Sequence, residues 1–268
     1  MPRNHRRRRP TQEDLAEAVA LEGITDQRLL DALRVVPRAS FVPPSLAERA
    51  YHDVPLPIPR DQVTTQPSLM ARMVAGLALG GSEKVLEIGT GYGFQTALLA
   101  RLGGFVWSIE RWPDIAKTAR ANLTRQGVEN VKVIVGDGTE GLPDEAPFEA
   151  ILVSAAFPDP VGPLAEQLAE AGRLVQPIGS GGAEAVDLFA KRQGNLVRLG
   201  TLTGAHFVRL RQARVSRLRR AAHAKALLAH SLGCGTQLAA RVLEPARNPI
   251  RVRADGEPRV TVLEMKTV

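Results

Sequence analysis

Three acidic side chains that end three apolar runs carry the first chemical information in this chain. They are Glu87 in Lys84-Val-Leu-Glu-Ile, Glu110 after Phe105-Val-Trp-Ser-Ile, and Asp137 after Val131-Lys-Val-Ile-Val-Gly. The first run passes into Gly89, Gly91 and Gly93, with Thr90 between the first two. Glycines at alternate positions let a backbone turn with positive φ and approach a ligand closely, where a Cβ would clash. Glu87 is expected to face the crevice this turn opens. A carboxylate after a second strand accepts both hydroxyls of a ribose, and an acid followed by glycine, as in Asp137-Gly138, can meet the edge of a base. Together these residues describe a clamp for a nucleoside. A dinucleotide site would carry a third glycine inside the next helix, whereas Phe94 and Gln95 follow Gly93 here. A nucleoside without pyrophosphate fits better, which points to S-adenosylmethionine. The chain has no Gly-Lys-Ser/Thr after the glycines and no Gly-x-Ser-x-Gly, which argues against a triphosphate-binding loop and an α/β-hydrolase.

Positioning these acids requires alternating strands and helices. The pattern predicts a helix over Pro67–Leu79, a strand over Lys84–Ile88, a helix over Phe94–Leu102 and a strand over Phe105–Ile109. A helix over Ile115–Arg125, strands over Val131–Val135 and Ala150–Val153, a helix over Pro163–Leu168 and a strand over Arg173–Pro177 complete the series. Such alternation implies right-handed parallel crossovers in a doubly wound α/β sheet, with ligands at the carboxyl ends of the strands. Short strands over Asp187–Lys191, Asn195–Leu202 and His206–Leu210 suggest an antiparallel edge. A helix over Arg214–Leu232 and strand character at Arg259–Leu263 follow. Upstream, Asp14–Leu33 reads as two short helices broken at Gly23. The prolines of Val36-Pro-Arg-Ala-Ser-Phe-Val-Pro-Pro and Val54-Pro-Leu-Pro-Ile-Pro indicate an extended, ordered loop laid against the body.

The 268 residues suffice for one core with decorated ends. We expect a basic tail over residues 1–10, a catalytic domain over 11–210 and a C-terminal extension over 211–268. The formal charge of +7 concentrates in the arginines before Pro10 and in Arg209–Leu243, which holds eight Lys/Arg and no Asp or Glu. Those ends could engage nucleic acid or simply be solvated. No apolar run has the length of a membrane span, and the N-terminal arginines lack the apolar segment of an export signal. A single cysteine, Cys234, excludes an intramolecular disulfide and fits a reducing cytoplasm. His223, His230 and Cys234 share a helical face, but lack a fourth ligand, and no metal is expected.

The chain resembles the protein-L-isoaspartate O-methyltransferases from about Leu30 to Leu210. The resemblance rests on Val36-Pro-Arg-Ala-Ser-Phe-Val-Pro, Ala50-Tyr-His-Asp-Val-Pro-Leu-Pro-Ile, Thr65-Gln-Pro, Leu86-Glu-Ile-Gly-Thr-Gly-Tyr-Gly-Phe-Gln, Ser108-Ile-Glu-Arg, Gly136-Asp-Gly, Ala146-Pro-Phe-Glu, Ser154-Ala-Ala and Leu174-Val-Gln-Pro-Ile-Gly. It implies a Rossmann-like methyltransferase sheet with S-adenosylmethionine at its carboxyl edge. It further implies cofactor contacts from Thr64, Glu87, Gly89, Thr90, Gly91, Glu110, Asp137 and Gly138. The loop through Asp53 and Thr65 would cover the cofactor and form the acceptor site. Thr65 stands where the family usually has serine, Gly179-Ser-Gly-Gly-Ala-Glu-Ala replaces a glutamine-bearing turn, and His206-Phe-Val-Arg-Leu replaces a usual Phe-Val-Pro-Leu.

The reaction so implied is attack by the carboxylate of an L-isoaspartyl residue in a damaged protein on a sulfonium methyl group. A carboxylate of pKa about 4 is already ionised and needs no general base. Thr65 would hold the acceptor by its hydroxyl, alongside a role as N-cap of the helix after it, and Asp53 would order the loop. Two other readings share the sequence: an aspartate-directed methyltransferase for a dedicated ribosomal peptide, and a nucleic-acid-binding protein on the same fold.

Overall fold

A computed structural model describes residues 8–180 and 184–207. The described residues belong to one compact unit. The expected helix over 214–232, the strand at 259–263, the His223/His230/Cys234 group and most of the His206–Leu210 strand lie outside them.

Seven strands form one sheet in the order β5-β4-β3-β6-β7-β8-β9. Strands β3 (Lys84–Ile88), β4 (Phe105–Glu110), β5 (Val131–Val135), β6 (Phe148–Val153) and β7 (Leu168–Ile178) run parallel. Strand β8 (Glu184–Arg192) adds antiparallel to β7, and β9 (Asn195–Ala205) adds antiparallel to β8. The strand order reverses between β3 and β6, which is where open sheets of this kind leave a crevice. Helices α4 (Phe94–Leu102), α5 (Pro113–Arg125) and α6 (Gly162–Gln167) make the crossovers. Helices α1 (Gln12–Leu21), α2 (Gln27–Val35) and α3 (Pro67–Leu77) precede the sheet, and α1 opens on a Thr11/Asp14 capping box.

The two sheet faces are separate apolar layers. Val85 packs with Val106, Leu98 and the N-terminal helices on one face, while Leu86 and Ile88 pack with Ile109, Ile151 and Leu164 on the other. Alternation along β3 puts Glu87 on the Val85 face, beneath α4. This single fact of register changes its role.

Two expectations need correction. The proline segments are not irregular throughout: Arg38–Phe41 and Pro44–Arg49 form 3₁₀ turns, and β1 (Leu56–Ile58) pairs antiparallel with β2 (Gln62–Thr64). Proline is compatible with the first positions of a short helix and with an edge strand, where its missing N–H is not needed. Strand β7 begins at Leu168 and β9 continues to Ala205, so His206 and Phe207 fall beyond the edge strand. Among the described residues no helix is long and apolar enough to cross a membrane.

Candidate active site

The turn after β3 holds Gly89 at φ +96° and Gly91 at φ +55°, both in the region that side chains disfavour. A Cβ on Gly89 would reach 3.4 Å from the Cβ of Ser154, which follows β6. Ser154 N donates to Ile88 O at 2.9 Å, so the ends of β3 and β6 are tied together at the strand reversal.

Glu110 ends β4 and faces this turn. Its carboxylate accepts Gly91 N and Trp112 N, each at 3.0 Å, and burial pushes its pKa up against these backbone donors. The carboxylate is therefore fixed in direction by two amides while still lining the crevice. Asp137 accepts Thr139 N at 3.0 Å and Thr139 Oγ1 at 2.8 Å. A Cβ on the adjacent Gly138 would come within 2.2 Å of Ile88 Cγ2, so only glycine lets this loop close on the sheet. Ile88, Ile109, Glu110, Trp112, Asp137 and Ala155 line one crevice of about 750 Å³, open toward the tip of the β1–β2 hairpin. Arg60 at that tip bonds Asp114 at 3.1 Å and lies over the Trp112 ring at 5.3 Å. A crevice that sets Ile88, Ile109 and Trp112 beside polar groups, with a carboxylate aimed by two amides, offers apolar surface for a base and an acceptor for sugar hydroxyls, which suits a nucleoside.

Glu87 does not face this crevice, which corrects the expectation. It is 0% exposed, and Gln95 Nε2 (2.8 Å), Thr96 Oγ1 (2.6 Å) and Ser108 Oγ (2.5 Å) donate to it. Burial raises its pKa to about 7, with the three donors opposing and Glu110 adding to the rise. Thr90 lines the inner pocket, but its hydroxyl is engaged at 2.5 Å by Ser108. The Thr64 hydroxyl is likewise engaged, accepting Leu56 N at 3.1 Å and Arg38 at 3.0 Å.

The loop that leads to Thr65 is organised by two side chains. Arg38 is 1% exposed and donates to the carbonyls of Ala50 (3.0 Å), His52 (3.0 Å) and Val54 (2.9 Å) as well as to Thr64. Burial lowers its pKa to about 10, opposed by the charge of Asp53, so it stays a cation. Asp53 accepts Ser68 N at 2.8 Å and Gln66 Nε2 at 2.9 Å. It thus caps α3 from outside, and Thr65 does not: the N-cap position is Gln66, without a side-chain bond of its own. Asp53 lines none of the three cavities around the turn.

Thr65 lies between a groove of about 410 Å³, lined also by Arg72, Ser154, His206 and Phe207, and an inner pocket of about 90 Å³ at the glycine turn. Its hydroxyl has no bond partner among the described residues. Sequence reasoning assigned nothing to Arg38, Gln95 or Ser154. Gln95 donates to both Glu87 and Ser154 (2.9 Å), while its own Oε1 is buried without a partner. An unpartnered buried carbonyl costs on the order of 1–3 kcal/mol. The one available signal was position, a polar residue just after the glycines and another at the end of β6. No group of three or more His, Cys, Asp or Glu able to hold a metal occurs among the described residues.

The family model for protein-L-isoaspartate(D-aspartate) O-methyltransferase matches residues 10–215. A protein-L-isoaspartate O-methyltransferase of Methanoculleus marisnigri is 46% identical over 203 residues, covering 76% of this chain and 92% of its own. One from Anaeromyxobacter dehalogenans is 51% identical over 174 residues, covering 65% and 83%. Among solved structures, a protein-L-isoaspartate O-methyltransferase superposes with a TM-score of 0.68 at 28% identity, over 78% of this chain and 69% of its own. A Plasmodium falciparum structure assigned to the same enzyme class, bound to S-adenosyl-L-homocysteine, shares the fold with a TM-score of 0.65 at 23% identity, over 76% and 99%.

Proposed function

Because the chain belongs to the protein-L-isoaspartate(D-aspartate) O-methyltransferase family, we propose that its nucleoside crevice and its Thr65 groove are the two halves of one methyl-transfer site. The enzyme methylates the carboxylate of L-isoaspartyl residues in damaged proteins, with S-adenosylmethionine as cofactor. That cofactor supplies an electrophilic methyl group when bound. Glu110 would hold the ribose hydroxyls, since its carboxylate is aimed by Gly91 N and Trp112 N. Asp137 and Gly138 would meet the base, and Gly89 and Gly91 would let the backbone approach the methionyl arm. Thr64 and Thr90 would contribute walls rather than hydroxyls, because their hydroxyls are engaged within the protein.

Thr65 would donate its hydroxyl to the acceptor carboxylate. The observation that carries this reading is that Thr65 borders both the inner pocket and the outer groove with an uncommitted hydroxyl. No residue need remove a proton, since the acceptor is ionised at neutral pH, and catalysis rests on alignment in a water-poor site. Asp53 and Arg38 hold the loop that brings Thr65 there. We place the work in the cytoplasm, where a lone cysteine stays reduced.

The test is methyl transfer from labelled cofactor to an isoaspartyl peptide, its aspartyl twin and a short nucleic acid. We expect the isoaspartyl peptide alone to be labelled, and Thr65→Ala to lose roughly tenfold or more in kcat/KM, as one hydrogen bond to a charged group predicts. Equal labelling of the aspartyl twin would overturn the repair assignment in favour of a dedicated substrate.

A further inference from the structure

Ser154 is the one described residue that borders the nucleoside crevice, the inner pocket and the acceptor groove together. Its backbone is pinned at the reversal of the strand order by the bond from its N to Ile88 O. Its hydroxyl accepts Gln95 Nε2 at 2.9 Å and makes no other hydrogen bond among the described residues.

The orientation of Gln95 is fixed by chemistry. One amide hydrogen goes to Glu87 Oε1, and the other Glu87 oxygen is taken by Thr96 and Ser108. Thr96 and Ser108 both donate to Glu87 Oε2, and Glu87 Oε1 receives the Gln95 amide nitrogen, so it is the nitrogen of that amide and not the oxygen that faces the carboxyl group. The same nitrogen then donates to Ser154, and Gln95 Oε1 is left buried and unpartnered. With its nitrogen toward Ser154, Gln95 does not take the Ser154 proton, and no other group among the described residues does. That proton is available to the two pockets that Ser154 shares with Thr65, whose hydroxyl is equally uncommitted.

We propose that Ser154 is a second hydroxyl donor to the acceptor carboxylate, paired with Thr65, and that Gln95 is the positioning residue that directs the Ser154 proton toward it. This deepens the methyl-transfer reading above and rests on it. A carboxylate attacking through one oxygen still needs its other oxygen held, and two hydroxyls from different elements would fix both the position and the tilt of the group.

The experiment measures initial rates against the isoaspartyl peptide at saturating cofactor, with cofactor affinity measured separately by calorimetry. Ser154→Ala should raise the peptide KM about tenfold, the loss of one hydrogen bond to a charged group, and leave cofactor affinity within about twofold. Gln95→Leu should reproduce much of that loss, and the double variant should be no worse than Ser154→Ala alone, as coupled residues behave. Gln95→Met serves if the leucine variant does not fold, with melting curves as the check. An unchanged peptide KM in Ser154→Ala, a loss that falls on cofactor affinity, or single losses that simply multiply would each overturn the inference. A wild-type enzyme inactive on the isoaspartyl peptide would overturn the methyl-transfer reading itself, which the variants alone cannot do.

Discussion

The two halves of the site are built by opposite means. The nucleoside half consists of strand ends: Glu110, Gly89 and Asp137 sit where β4, β3 and β5 stop, and backbone amides of the turns that follow those three strands orient the acids. The acceptor half is a two-stranded hairpin and two 3₁₀ turns outside the main sheet. It depends on the buried Arg38, whose bonds reach 12 to 26 residues along the chain, and on Asp53, which caps a helix 15 residues away. The first half inherits its rigidity from the sheet. The second is held by two charged side chains whose loss would leave buried carbonyls and amides without partners.

That contrast can be broken from either side. The largest effect should come from Glu110→Ala, which removes a charged acceptor from the nucleoside half: we expect cofactor affinity to fall by roughly a hundredfold, the loss of about two such bonds, with a smaller drop in melting temperature as Gly91 N and Trp112 N lose their acceptor. Retained affinity by calorimetry would remove Glu110 from the ribose. Arg38→Met should do the reverse in kind. It should cost about 3 kcal/mol of stability by taking the donor from the Ala50 and Val54 carbonyls, while His52 O and the Thr64 hydroxyl keep Val54 N and Leu56 N, seen as a clear drop in melting temperature, with turnover falling more than cofactor affinity. Equal losses of both functions would show that the halves are not independently supported.

The third prediction concerns the acid buried between them. Glu87 has a folded pKa near 7 against an ordinary 4.5. The folded state therefore binds its proton more tightly, so this contribution to stability is full below about pH 4.5 and is lost as pH rises through 7. Up to about 3 kcal/mol is at stake. Glu87→Gln should flatten that part of the pH–stability curve between pH 4.5 and 7, measured by denaturant melts, and an unaltered slope would assign it to other groups. The smallest effect is expected from Thr65→Ser. It keeps the hydroxyl and removes only a methyl group, so kcat/KM should shift by no more than a few-fold.

Much of the nucleoside half was legible from residues alone. Glycines at alternate positions, with acids closing successive apolar runs, have few structural solutions, and the crevice assembles Glu110, Asp137 and the turn as expected. Glu87 was misread because a strand-end acid was assumed to point outward; alternation with Val85 puts it under α4, where Gln95, Thr96 and Ser108 saturate it. The acceptor half was legible only as a proline-rich loop leading to Thr65. Its hairpin, its 3₁₀ turns and the Arg38 strut depend on contacts between residues far apart in sequence, which no local pattern records.

The sequence by itself determined the doubly wound sheet, the glycine turn, the strand-end positions of Glu110 and Asp137 and the family of the chain. Those rest on periodicity, on backbone conformations open only to glycine, and on motifs in register. The tertiary structure alone decided that Glu87 is an internal anchor, that Asp53 rather than Thr65 caps α3, and that Ser154 stands where all three cavities meet. Each of these turns on which way a side chain points and what lies opposite it across the fold. That is fixed by the packing of β3 against α4 and β6, and by the buried charges that hold the loop in place.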